Sequence, residues 1–256
     1  MSKIGIIWVG FNCEDTLERS LAPWIAARRD RLNSHEFAIC AVSVPFEGFG
    51  EEATDKTRTL LGFASTRDDI DHAIVRDKPM KETEARGAAL RWLTEKGCVL
   101  SIMVDADEFW TIDQISKAIT FMEERPFLCW ARVCLKNYVF DTKTYLVEPF
   151  QPPRLHRLTY QGVYRAVGFE QDNDVRYEML PGGALVGQEG LPHATVPKNL
   201  VWVRHESWPN SNRSRLKIEY QLKGRNWPSC SFSWDDSQGG LVWNPSLPIP
   251  ETETDS

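Results

Sequence analysis

Val99-Leu100-Ser101-Ile102-Met103-Val104-Asp105-Ala106-Asp107-Glu108 is the stretch on which the fold turns. Its first part is a continuous apolar run, with none of the alternation of a half-exposed strand, and such runs belong to parallel strands covered on both faces. It then meets three carboxylates in four positions. Acidic side chains gathered at the end of a buried strand repel one another and are costly to desolvate. A divalent cation removes the conflict, and hard oxygen ligands suit Mg²⁺ or Mn²⁺. The i, i+2 spacing of Asp105 and Asp107 sends both side chains from the same side of an extended backbone, so one can bind metal while the other holds ribose or a metal-bound water. A solvated loop whose acidic residues cap the next helix is the other reading of the same residues.

The flanking sequence supplies the layers such a strand needs. Residues 4–9 form a β-rich run ending at Gly10, and residues 14–29 carry Leu17, Leu21, Trp24 and Ile25 at helical spacing. A second strand is expected over 37–44, stopped by Pro45, and a third over 72–75, with 45–70 as a long connection. Pro79 opens a helix over 80–95, Gly97 ends it, and 98–104 is the apolar strand. This β-α-β-(loop)-β-α-β order predicts an α/β fold with a mostly parallel, Rossmann-like sheet flanked by helices. Beyond it, a helix is expected over 112–124, strand-like sequence over 127–140, a strand over 200–203 and a polar helix over 210–223. Residues 150–198 yield no assignment, and 251–256 are expected to be disordered.

Composition narrows the classes further. The 256 residues are 42% hydrophobic and 26% charged, ordinary for a globular chain. Six cysteines without CxxC spacing read as reduced core thiols. The N-terminus lacks the apolar stretch and cleavage site of a signal peptide, and no segment approaches a membrane span, so a cytoplasmic protein is expected. A net charge of −6 disfavours a dedicated nucleic-acid binder. Residues 204–225, however, hold six basic against two acidic residues, a local +4 that leaves the rest at −10. That segment suits a phosphate-rich ligand or, equally, a solvated helix face.

Over about residues 3–225 the chain resembles the GT-A glycosyltransferases, particularly family 2-like inverting enzymes. Asp105 and Asp107 match the D-x-D motif. Arg86, in Lys81-Glu82-Thr83-Glu84-Ala85-Arg86-Gly87-Ala88-Ala89-Leu90, matches a nucleotide-facing position on the preceding helix. Val9-Gly10-Phe11-Asn12 resembles the loop that borders the nucleotide. Pro153-Arg154-Leu155-His156-Arg157 resembles a P-R-L-F-R strand, and His205, in Arg204-His205-Glu206-Ser207-Trp208, a late histidine that ligates metal. Where the family carries Asp-Asp or Asp-Gly after the second strand, this chain has Ser43-Val44-Pro45-Phe46-Glu47, with Glu47 as the substitute for holding base and ribose.

The resemblance implies transfer of a sugar from a nucleotide-sugar, UDP-linked by expectation, to an acceptor hydroxyl with inversion. Asp105, Asp107 and His205 would hold Mn²⁺ or Mg²⁺. Val9, Gly10, Asn12, Glu47, Arg86 and Asp105 would border the donor, and Arg213, Arg215 and Lys217 would neutralise the leaving diphosphate. Glu170, Asp172 or Asp174, with Glu108 as a further choice, would supply the base that deprotonates the acceptor; Asp107 counts among the catalytic carboxylates. Residues 1–110 are assigned to the nucleotide-sugar-binding βαβ half, 111–225 to the acceptor half of the same domain, and 226–256 to a Trp/Pro-rich tail. The basic helix over 210–223 is expected to close over the diphosphate as a lid, with His205 at its entrance. His156 and His193 have weaker claims, and His35 and His72 read as surface or structural. The acceptor stays open between glycan, lipid, small molecule and a hydroxymethylated base in DNA. A degenerate binding module is a further alternative, and a nucleotide-sugar pyrophosphorylase lacks its Gly-rich basic signature here.

Overall fold

A computed structural model describes residues 2–47, 55–141, 143–146, 150–158, 190–209, 212–219, 232–235, 237, 240–243 and 251–253. Strand β1 (Lys3–Val9) leads to helix α1 (Glu14–Arg29), whose Glu14 and Asp15 lie in the first turn and Arg28 and Arg29 in the last, matching the helix dipole. Leu17, Leu21 and Trp24 form its buried face. Then follow β2 (Glu36–Ser43), α2 (Thr57–Thr66), β3 (His72–Val75), α3 (Glu82–Glu95), β4 (Leu100–Asp105), β5 (Glu108–Phe109) and α4 (Ile112–Glu123). Helix α4 starts on a capping box between Thr111 and Gln114. The later strands are β6 (Trp130–Arg132), β7 (Cys134–Phe140), β8 (Thr144–Tyr145), β9 (Pro153–Arg157), β10 (His193–Thr195) and β11 (Trp202–Pro209). A helix, Asn212–Glu219, and the strands β12 (Phe232–Asp235), β13 (Gly240–Trp243) and β14 (Glu251–Thr252) complete the described elements.

The central sheet has seven strands in the order β10-β6-β9-β4-β1-β2-β3. Strands β3, β2, β1 and β4 are parallel neighbours, and β9 runs against β4 and β6. The chain steps outward from β1 to β2 and β3, then returns to place β4 on the other side of β1. That reversal makes a topological switch point at the carboxyl ends of β1 and β4, where open α/β sheets bind ligands. Val9 and Asp105 are register partners there. Helices α1, α2 and α4 cover one face and α3 the other. The α3 packing is close: a Cβ on Gly5 of β1 would lie 2.7 Å from Leu93 Cδ1.

A second sheet, β14-β8-β7-β11-β5, begins immediately after the Asp105–Asp107 turn. Strand β5 pairs antiparallel with β11, setting His205 opposite Glu108. The sheet therefore delivers residues from beyond position 130 to the acidic turn.

Several expectations change in physical detail. Helix α2 occupies part of the presumed 45–70 connection; only Thr57 and Leu61 of it are buried, too narrow an apolar face to stand out in sequence. The 127–140 run divides at Val133 into β6 and β7, which join different sheets. Strand β11 extends through Pro209, past the expected 200–203, so His205 lies within a strand. Residues Glu251–Thr252, expected to be disordered, pair with Thr144–Tyr145, and Glu253 accepts from Lys136 Nζ and Tyr138 Oη. Among the described residues no helix is long and apolar enough to cross a membrane. The five described cysteines are buried and unbridged, and burial pushes the Cys40 thiol up to about 12.

Candidate active site

The end of β1 and the acidic turn are in direct contact. Ala106 N–H donates to Val9 O at 2.8 Å, and Gly10 N–H donates to Val42 O at 3.0 Å. A Cβ on Gly10 would sit 2.4 Å from Trp8, 2.6 Å from Cys13 Sγ and 2.7 Å from Ala106 Cβ, so only glycine admits this approach. Asn12 follows with φ of 48°, an allowed left-handed turn for asparagine. Cys13 N–H then donates to Thr57 Oγ1 at 2.9 Å, tying the loop to α2. Val9, Gly10 and Asn12 thus abut the acidic turn at the switch point.

Asp105 and Asp107 meet different partners. Arg86 Nη2 donates to Asp105 Oδ1 at 2.8 Å and Arg154 Nη2 to Asp105 Oδ2 at 2.8 Å. Arg86 Nε also holds Glu82 Oε1 at 3.0 Å, and Arg154 Nε holds Glu108 Oε1 at 2.9 Å. The result is a buried alternating chain of charge, Glu82–Arg86–Asp105–Arg154–Glu108. Burial alone would raise the Asp105 carboxyl, but Arg86 and Arg154 outweigh it and hold the group below its usual range. At Glu108 burial wins over the pull of Arg154 and raises the carboxyl. Both guanidinium groups are held more firmly protonated than usual, since their carboxylates outweigh the cost of burial.

Asp107 stands outside this chain. Its Oδ1 is 3.3 Å from His205 Nε2 and its Oδ2 is 3.6 Å from Lys217 Nζ. The other ring nitrogen, His205 Nδ1, lies 2.5 Å from Asn137 Oδ1 on β7. The backbone secures the same pairing: Glu206 N–H donates to Asp107 O at 2.9 Å. Glu206 itself is bound by Arg19 at 2.8 Å and Arg204 at 2.7 Å, and Arg19 stacks on Phe109.

The expected site residues are therefore distributed unevenly. Val9, Gly10, Asn12, Asp105, Asp107, Arg86 and His205 come together at the switch point, but Arg86 grips Asp105 and Glu82, not Asp107. Glu108 is fully buried, held by Arg154 and 3.4 Å from Trp110 Nε1, so it is withdrawn from any acceptor. Glu47 is exposed beyond β2, its N–H donating to Met80 O at 3.0 Å. Arg213 lies on the Asn212–Glu219 helix. Glu170, Asp172 and Asp174 lie outside the described residues. His35 is structural, 2.7 Å from Ser2 Oγ and 3.2 Å from Glu123, and His72 stacks on Trp92. His193 stacks on Trp130, away from the acidic turn, and His156 is a core residue of β9.

Glu82, Arg154 and Asn137 are the residues that sequence reasoning did not place in the site. Arg154 had a signal in the Pro153–Arg157 motif; Asn137 had none.

No family model and no curated protein sequence matches the chain. Solved structures do. S. aureus TarS 1-349 in complex with UDP-GlcNAc matches with a TM-score of 0.50 at 12% identity, over 93% of this chain and 69% of that one. A second structure of S. aureus TarS 1-349 gives a TM-score of 0.45 at 15% identity, over 64% of this chain; the chain spans about half of that relative's length, 49%. A cytidylyltransferase from Leptospira borgpetersenii is more distant, with a TM-score of 0.40 at 10% identity over 90% of this chain and 89% of that one. At these identities the likeness is one of architecture: the chain has a GT-A-type fold, a mainly parallel sheet flanked by helices.

Proposed function

We propose that the chain is a metal-dependent glycosyltransferase that moves a sugar from a UDP-linked donor to an acceptor hydroxyl with inversion. The observation that carries this reading is the Asp107–His205 pair at the switch point, with oxygen and nitrogen 3.3 Å apart. Two ligands at adjacent corners of an octahedral metal with bonds of about 2.0–2.1 Å would be about 3 Å apart, so the pair fits. Asn137 Oδ1 accepts from Nδ1–H, which in the neutral ring leaves the Nε2 lone pair facing the Asp107 carboxylate. A cation shared by the two atoms, or a proton on Nε2, removes that repulsion.

Among the described residues no group of three or more His, Cys, Asp or Glu is placed to hold a metal. Two protein ligands completed by diphosphate oxygens and water is the usual arrangement for a cation bound with a nucleotide. Asp105 is assigned a different role from the one expected of it, since both its oxygens already accept from guanidinium groups. It fixes Arg86 and Arg154 at the floor of the site and borders the ribose. When bound, the metal would supply charge to stabilise the departing diphosphate.

The chain's own residues do the rest. Val9, Gly10 and Asn12 shape the nucleotide wall, and the Asn212–Glu219 helix brings Lys217, with Arg213 on the same helix, toward the diphosphate. A carboxylate of the 170–174 segment, Glu170, Asp172 or Asp174, deprotonates the acceptor hydroxyl. The DNA-acceptor reading rests on the basic 204–225 segment and the aromatic tail. A net charge of −6 favours a sugar, lipid or small-molecule acceptor instead. The test is a donor panel: UDP release from UDP-sugars with Mn²⁺, abolished by EDTA, is expected. Release that ignores EDTA, or binding of none of the panel, refutes the reading.

A further inference from the structure

Strand β11 changes register immediately after His205. His205 is level with Asn137 of β7 and Trp208 with Val139, so β11 has one residue more than its partner between those points, and Glu206 lies in the bulge. Bulges bend a strand and re-aim the side chains beside them, and they concentrate next to active sites. This one is pinned on several sides. The Glu206 N–H donates to Asp107 O at 2.9 Å. Arg19 of α1 grips the carboxylate with its fork, Nη2 to Oε1 at 2.8 Å and Nη1 to Oε2 at 3.3 Å. Arg204 Nε donates to the same Oε1 at 2.7 Å. Arg19 also lies over the Phe109 ring, 3.9 Å from its centroid, and Phe109 is the register partner of Arg204.

We propose that Glu206 is the positioning residue of the Asp107–His205 pair: its carboxylate, gripped by Arg19 and Arg204, fixes the β11 bulge that holds the aspartate oxygen and the histidine nitrogen 3.3 Å apart. The inference rests on the metal-dependent reading above and adds the device that sets the spacing. Successive side chains of a strand point to opposite faces, so the Glu206 carboxylate shares the Arg204 face and His205 the Asn137 face. The clamp therefore acts through the backbone, and neither Glu206 nor Arg19 is a ligand. Arg19 belongs to α1, which follows the Val9–Asn12 loop, so the clamp also joins the nucleotide side of the switch point to the metal pair.

Charge and positioning have opposite signatures at Arg19. Removing its positive charge would by itself favour a divalent cation nearby, whereas releasing the bulge disfavours one. The test is a Mn²⁺ titration followed by electron paramagnetic resonance, at UDP saturating for every variant, on the wild-type chain, Arg19→Met, Arg19→Lys, Glu206→Gln and the double variant Arg19→Met/Glu206→Gln. Arg19→Met and Glu206→Gln are each expected to weaken Mn²⁺ binding on the order of 10-fold, the scale of a lost outer partner. The double variant is expected to match the weaker single, because both changes release the same clamp. Arg19→Lys, which keeps the charge without the fork, is expected to fall between wild type and Arg19→Met. Arg19→Met that binds Mn²⁺ as tightly as wild type or more so, or losses that add in the double variant, would overturn this inference alone. Absence of Mn²⁺ binding from every chain would overturn the metal-dependent reading with it. The Arg19 side chain is 53% exposed, so Arg19→Met decides the matter even if Glu206→Gln melts early.

Discussion

Asp105 and Asp107 are two positions apart and leave the same strand end, yet they sit in opposite electrostatic surroundings. Asp105 is saturated: each oxygen accepts a guanidinium N–H, and those guanidiniums are themselves held by Glu82 and Glu108. Asp107 has a histidine at 3.3 Å and the Lys217 ammonium at 3.6 Å. The first arrangement is a brace, whereas the second joins Asp107 to side chains of β11 and the Asn212–Glu219 helix. The brace sets three carboxylates against two guanidiniums directly behind the Asp107 turn, which fixes the backbone there in advance. The pairs in the brace need not add net stability, but removing one member strands a buried charge.

That contrast can be broken from either side. The largest effect on folding is expected at Arg154, because it bridges Asp105 and Glu108 at 2% exposure. Arg154→Met should cost about 3–5 kcal/mol, measured by urea denaturation; a loss below about 1 kcal/mol would mean that the chain of charge is not a brace. On the Asp107 side, Asn137→Ala releases His205 and should weaken Mn²⁺ binding by about 10–100-fold with little change in melting temperature. An unchanged titration would remove Asn137 from the site. Between the two lies Gly10, which sets how closely β1 meets the acidic turn. Gly10→Ala should cost about 1–3 kcal/mol by overpacking against Trp8, Cys13 and Ala106, and a neutral result would show that the turn can retreat.

The smallest effect is a pH dependence. The Asp105 carboxyl is held below its usual range, so its ionised form contributes stability above about pH 3.9, lost as pH falls through the lower folded value. The stability gap between wild type and Asp105→Asn should thus be steady near neutrality and close in acid. Glu108 has the opposite sign. Its raised carboxyl takes up a proton in the folded chain first, so it favours folding as pH falls through that raised value toward the ordinary glutamate range. Urea melts at several pH values would separate the two, and a gap that widens in acid would contradict the assignment at Asp105.

The parallel half of the fold was legible because apolar runs and amphipathic helices alternate there with little ambiguity. Helix α1 (Glu14–Arg29) and strand β3 (His72–Val75) stand where periodicity puts them. The later strands were not legible in the same way. Residues 127–140 read as one strand-like run, since nothing local marks Val133 as the point where the chain changes sheets. Helix α2 buries too little to show a stripe. In the site, Asp105, Asp107, Arg86 and His205 could be named from the sequence, but not who touches whom. Arg86 pairs with Asp105 across 19 positions, Arg154 with Glu108 across 46, and His205 with Asn137 across 68. Only the sheet order brings those partners together, and the difference between the two aspartates lies wholly in those long-range contacts.

In the proposed function Asp107 holds the metal and Asp105 does not. Mn²⁺ titration in the presence of UDP, on Asp107→Asn and Asp105→Asn side by side, tests it most directly. The account predicts that Asp107→Asn loses Mn²⁺ binding by at least about 100-fold, the upper end of what losing a mere supporting partner costs, while Asp105→Asn stays within about 10-fold of wild type. Equal losses in the two variants, or Mn²⁺ binding that survives in Asp107→Asn, would contradict it.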